Sequence, residues 1–117
     1  MRYEIKNTRT GEVIAGEAVL ASSPWARMRG LLGRASLPPG EAIILRPASS
    51  IHTAFMRFAI DVIFLDGEDR VLKVVRDLAP FRLSAARRSR SVIELAGGAT
   101  RDADLQPGDA LEMRFLG

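Results

Sequence analysis

The run Ile60-Asp61-Val62-Ile63-Phe64-Leu65, the turn residues Asp66-Gly67-Glu68-Asp69, and the return Arg70 to Arg76 constrain the fold more than any other stretch. The first run is rich in β-branched and aromatic side chains and reads as a strand. The Asp-Gly pair marks a tight turn, and Val71 to Val75 supplies the answering apolar run, so the segment predicts an antiparallel hairpin. One carboxylate, Asp61, stands at the entrance to this core strand. It needs a partner there, because burial without one raises a carboxyl's pKa and costs free energy.

The rest of the chain is punctuated in the same way. Tyr3 to Lys6 and Val13 to Leu20 read as strands joined at Thr10-Gly11, with Gly16 marking a bulge or a close backbone approach. Ser23 and Pro24 open a short helix near residues 24–32, which Gly33 stops. Its apolar face carries Trp25, Met28, Leu31 and Leu32. Ala42 to Leu45, Ile51 to Phe55 and Val92 to Leu95 are further short strands, and Ala110 to Leu116 closes the chain after the turn Gln106-Pro107-Gly108-Asp109. Arg82 to Ser91 reads as a long loop and Ala99 to Leu105 as one turn of helix. These features predict a mainly β chain, a small single-domain barrel or sandwich of about seven or eight short strands with one short helix.

Composition sets the remaining bounds. At 117 residues the chain is one domain, residues 1–117. It has no cysteine and a single histidine, His52, which excludes disulfides, thiolate metal sites and multi-histidine metal sites. No phosphate-binding glycine loop or dinucleotide fingerprint occurs, so neither a metal nor a cofactor is expected. No signal peptide is recognisable at the N-terminus and no run approaches the ~20 apolar residues of a membrane span, so a cytoplasmic protein without membrane association is expected. The net charge is +3, and of 17 basic residues only Lys6 and Lys73 are lysine. Arginine suits carboxylate and phosphate recognition. Genome-wide codon bias explains the same excess, and 14 acidic residues are spread through the chain.

His52, Thr53, Arg57 and Asp61 bring an imidazole, a hydroxyl, a guanidinium and a carboxylate within ten residues. They suggest an acid/base or anion-binding site, with His52 and Asp61 as candidate catalytic residues. The bland reading is a buried polar network that fixes how two strands join. In an extended strand His52 and Arg57 fall on opposite faces, so they converge only if the chain bends between them. Two further basic segments stand out: Arg27, Arg29 and Arg34 around Trp25, and the four arginines Arg82, Arg87, Arg88 and Arg90. The latter are candidates for phosphate contacts, although solvated arginines explain both segments.

The runs IHTAFMRFAIDVIFLDGEDRVLKVV, LAPFRLSAARRSRSVIELAGG and LQPGDAL, preceded by RMRGLLGR, resemble the uncharacterised DUF192 family in order and spacing over about Ala21 to Phe115. The resemblance implies a small, mostly β fold with a short helix near Trp25, and no established activity. The matching positions are Arg29, Gly30, His52, Thr53, Met56, Arg57 and Asp61, then Glu94, Gly98 and Gly108-Asp109. Where the family carries a proline in the central run, this chain has Ala59.

Three functions compete on these residues. The first is a non-catalytic binding module for a small anionic ligand or a protein partner, using Arg29, His52, Thr53, Arg57 and Asp61. The second is a hydrolase or lyase using His52 and Asp61. The third is a nucleic-acid binder using the Arg82–Arg90 segment. The sequence is silent on oligomeric state.

Overall fold

The computed structural model describes residues 1–21, 37–53 and 56–117. Nine strands run through them: β1 (Arg2–Asn7), β2 (Val13–Ala21), β3 (Glu41–Leu45), β4 (Ser50–His52), β5 (Ile60–Leu65), β6 (Val71–Leu78), β7 (Leu83–Ala85), β8 (Ser91–Ala96) and β9 (Leu111–Phe115). The chain is mainly β, as the turn-punctuated apolar runs predict. The helix expected over 24–32, together with Arg29, lies outside the described residues.

The expected hairpin is β5–β6. Its register pairs Val62 with Val75, Ile63 with Val74 and Phe64 with Lys73. The Asp66 carboxylate closes the turn by accepting from the backbone N–H groups of Glu68 at 2.8 Å and Arg70 at 3.0 Å. Every residue of β5 is buried, because β8 pairs with its other edge and both faces of the strand are covered.

Seven strands form one sheet in the order β6-β5-β8-β3-β2-β1-β9. Adjacent strands are antiparallel except β2 and β3, which run parallel. The sheet curls: the Val71 N–H donates to Asp109 O at 2.8 Å, and the Gly108 N–H donates to Val71 O at 2.7 Å, so the start of β6 meets the start of β9. Gly108 accepts the positive φ this turn needs, at 94°. The bulge expected at Gly16 is present: Tyr3 pairs with Ala18 and Ile5 with Ala15, so Glu4 opposes both Gly16 and Glu17.

Strand alternation sorts the core into two apolar clusters, one on each face of the sheet. Ile63 and Leu65 of β5 join Ile93 and Leu95 of β8, Ile44 and Ile5 in the first cluster. Ile60, Val62 and Phe64 join Val92 and Leu45 in the second, which Leu37, Ile51 and Met56 complete. Removing a side chain such as Phe64 or Ile63 from water contributes roughly 1.5–3 kcal/mol.

Three local readings of the sequence are corrected. The segment 82–91 is not all loop, because β7 pairs with β4 in a separate two-stranded ribbon, His52 opposite Leu83. Its exposed-intermediate-exposed pattern carries no apolar signal, so only the pairing reveals it. In place of a helical turn over 99–105, residues 97–102 form successive turns and 103–105 are irregular, with Thr100 held by Asp61 through both its N–H and its hydroxyl. Of the strand expected from Ile51 to Phe55, β4 ends at His52 and residues 54 and 55 lie outside the described residues; the Met56 N–H donates to Thr53 O at 3.2 Å.

Candidate functional site

Asp61 enters β5 opposite Leu95, so its side chain points to the face of the first cluster, and it is fully buried. Four hydrogen bonds meet its carboxylate. The Asp77 N–H donates to Oδ1 at 2.9 Å and the Gly98 N–H at 3.1 Å. Thr100 donates twice to Oδ2, from its N–H at 2.8 Å and its hydroxyl at 2.6 Å. The sequence builds this cage directly. Gly98 holds φ at 88°, a conformation glycine adopts without strain. Gly97 passes so close to the neighbouring chain that a Cβ would lie 2.9 Å from Ala59 O. Burial alone would push the Asp61 carboxyl up, but the bonds from Thr100, Asp77 and Gly98 together outweigh it and hold the group below the usual carboxylate range.

Thr53 is the second fixed point. Its hydroxyl donates to Ala79 O at 2.6 Å and accepts from the Arg82 N–H at 2.8 Å. Its backbone N–H donates to Arg82 O at 2.8 Å, and its carbonyl accepts from the Phe81 N–H at 2.9 Å. Residue 53 is thereby stapled to 79–82, which carries the chain from the end of β6 into β7. Phe81 sits in this staple at φ 61°, a conformation rarely adopted by bulky side chains.

His52 and Arg57 are both exposed, while Asp61 is enclosed, and the donors to Asp61 come from Asp77, Gly98 and Thr100. The bend between His52 and Arg57 is present, but the four expected residues divide. Asp61 and Thr53 are taken up by backbone groups, and His52 and Arg57 face outward. His52 stands beside Leu83, which is 76% exposed, on the outer side of the β4–β7 ribbon. Phe81 is 65% exposed two residues before Leu83, and Arg82 between them is exposed. Arg87, Arg88 and Arg90 are exposed further along the segment, where Arg90 runs beside Gly67 of the β5–β6 turn. Between Ala79 and Arg90 the chain has four arginines and no acidic residue.

A polar residue that chemistry-based reading of the sequence did not single out is Glu94. It lies in β8 between Val62 of β5 and Ile43 of β3, on the face of the second cluster. It is 3% exposed, and among the described residues its Oε1 has no hydrogen-bond partner. Burial pushes its carboxyl up to about 7. The signal was a lone acid inside the apolar run Val92-Ile93-Glu94-Leu95, which spacing alone does not distinguish from an outward-facing residue of a half-exposed strand.

A third polar cluster ties the end of β1 and the turn after it to the turn that leads into β9. Arg9 donates to both carboxylate oxygens of Asp109, from Nε at 2.7 Å and from Nη2 at 3.1 Å. Asn7 and the Gln106 N–H each add a bond of 2.9 Å to Oδ2. The Arg9 hydrogen bond, helped by Gln106 and Asn7, holds the Asp109 carboxyl far below the usual range. Among the described residues no group of three or more His, Cys, Asp or Glu side chains could hold a metal ion.

This is a curled β-sheet domain with a small two-stranded ribbon whose second strand is flanked in sequence by arginines, and with two buried acids, Asp61 and Glu94, on opposite faces of its centre. The family model of DUF192, described as "Uncharacterized ACR", matches residues 5–113, and the chain belongs to that family. No curated protein matches the sequence. Two solved structures share the fold. One is a protein of Sinorhizobium meliloti 1021 described as a "putative transcription regulator", 19% identical, with a TM-score of 0.82 over 96% of this chain and 92% of that one. The other is a protein of unknown function from Novosphingobium aromaticivorans DSM 12444, 21% identical, with a TM-score of 0.78 over 96% and 84%. Among the described residues no helix is long and apolar enough to cross a membrane.

Proposed function

We propose that this domain is a non-catalytic binding module whose β4–β7 ribbon docks an acidic segment of a protein partner. The observation that carries the reading is Leu83, 76% exposed beside His52 in a stretch with four arginines and no acid. Exposed apolar surface rimmed by cations suits a peptide that offers both carboxylates and an apolar side chain. A free small anion would engage the arginines and leave Leu83 in water. The hydrolase or lyase reading asks for His52 and Asp61 in one open pocket, and Asp61 is committed to four backbone and hydroxyl donors.

The same arginines support nucleic acid as the second reading, as does the description of the Sinorhizobium protein as a "putative transcription regulator". Fluorescence anisotropy separates the two. The probes are a labelled peptide of alternating glutamate and leucine, its lysine–leucine counterpart, and single- and double-stranded DNA and RNA oligonucleotides. The proposal expects binding of the acidic peptide alone, weakened at least tenfold by Leu83→Asp and by Arg87→Ala/Arg88→Ala. Steeply salt-dependent binding of an oligonucleotide that ignores Leu83→Asp overturns it in favour of the nucleic-acid reading. Absence of binding to every probe ends both.

A further inference from the structure

Three glutamates stand on one face of three neighbouring strands. The registers Glu17↔Glu41 and Val19↔Ile43 between β2 and β3, and Ile43↔Glu94 between β3 and β8, put all three on the side of the second apolar cluster. Burial deepens along the series. Glu17 is exposed and paired with Arg2 at 2.8 Å, Glu41 is half-buried, and Glu94 is 3% exposed. Between the rim and Glu94 the floor is apolar: Ile43 is half-buried and Val19 is 46% exposed.

Glu94 makes this more than an acidic patch. A carboxyl at that depth demands partners whether charged or neutral, since the protonated form still carries a donor and an acceptor. Among the described residues Oε1 has none, whereas the equally buried Asp61 has all it can use. On the β5 side the neighbours on this face are Ile60, Val62 and Phe64, which offer nothing. Among the described residues of the flanking strands, the titratable groups on the face are Glu41 and Glu17 on one side and Lys73 on the other, and Arg2 stands at the rim. The Lys73 ammonium is held over the Phe64 ring at 5.6 Å and donates to Ala85 O at 3.0 Å. All the acids favour a cation. Three-fold chelation of a metal ion is not available, as no three carboxylates among the described residues are grouped for it.

We propose that this flank of the sheet binds an organic cation on an apolar stem, a primary ammonium or a guanidinium, with Glu94 as counter-ion, Val19 and Ile43 under the stem and Glu41 at the entrance. The cation comes either from a free small amine or guanidine, or from a lysine or arginine side chain of a partner chain. Binding ionises Glu94. Below about pH 7, where burial keeps the empty carboxyl protonated, each cation bound releases about one proton, and affinity rises with pH until it levels off near neutrality.

The test is isothermal titration calorimetry of the full chain at pH 6, in two buffers of different ionisation heat. The probes are n-butylguanidinium, n-butylammonium and neutral n-butanol. The expected result is that the cations bind with release of about one proton, butanol does not bind, and Glu94→Gln lowers cation affinity at least tenfold and abolishes the release. Val19→Lys, at an exposed position, provides the second variant: its tethered ammonium occupies the site and removes cation binding. Acetylated tripeptides Gly-Lys-Gly and Gly-Arg-Gly separate the sources. Tighter binding than the butyl cations identifies a partner's side chain, and weaker binding identifies a free small cation. The proposal is overturned if neither cation binds at millimolar concentration, or if binding is indifferent to both variants.

Discussion

Glu94 gives the domain a pH dependence of unusual sign. Its carboxyl is raised from 4.5 to about 7 by burial. An acid with a raised folded-state pKa binds its proton more tightly when folded. Its contribution is therefore fully present below pH 4.5 and is lost as pH rises through about 7. At about 1.4 kcal/mol per tenfold change, the difference amounts to about 3 kcal/mol. For a domain of this size that is a lowering of Tm by about 10 °C between pH 4.5 and pH 8. The measurement is urea unfolding followed by circular dichroism at pH 5, 6, 7 and 8, for wild type and Glu94→Gln. Taking their difference at each pH cancels the other titrating groups. Glutamine stays neutral throughout, so its stability relative to wild type grows by about 3 kcal/mol across the series. Glu94→Met, which replaces the buried polar group with an apolar one of similar length, gains at pH 8 by a similar amount. Parallel pH profiles for wild type and Glu94→Gln, differing by a constant offset, would refute the reasoning.

Asp61 predicts the opposite limb. Its depressed pKa contributes stability that is present above the ordinary carboxylate range and lost as pH falls below it, so Asp61→Asn flattens the acid limb of unfolding. Thr100→Val removes the 2.6 Å hydroxyl donor and costs about 1.5–3 kcal/mol in urea unfolding. Gly97→Ala costs about 1–3 kcal/mol, since its Cβ would press on Ala59 O at 2.9 Å. Gly16→Ala meets nothing within 4 Å and changes stability by less than about 0.5 kcal/mol. Arg9→Ala lowers Tm and makes unfolding below pH 4 less steep, because Asp109 loses the partner that chiefly lowers its pKa; differential scanning calorimetry between pH 2 and pH 7 reads both.

What the sequence made legible follows from which interactions are local. The β5–β6 hairpin was readable because its turn residues and alternating apolar runs are contiguous, and so was the Gly16 bulge. The need of Asp61 for a partner was also readable, but not the partner's identity. His52 and Arg57 are near in sequence, yet the donors come from Asp77, Gly98 and Thr100, which only the pairing of β5 with β6 and β8 brings round it. β7 was missed because it is a strand by pairing and not by pattern, with Leu83 turned to solvent. Glu94 is among the positions that match the family, but its burial was not legible for a related reason: whether an acid in a short apolar strand faces water depends on what covers the strand's second face.

The pairing of β1 with β9 has a kinetic consequence. Ile5 lies opposite Met113 and Tyr3 opposite Phe115, whose rings meet edge to face at 5.6 Å. The domain's first strand therefore waits for its last before its outer edge is satisfied. Until then Ile5 and Ala15 line an unfinished sheet, and β1 offers other chains a row of unpaired amides. A long-range closure of this kind makes folding slow relative to stability. Fusions or truncations that delay β9 should then raise aggregation during synthesis while leaving the melting point of the finished domain unchanged.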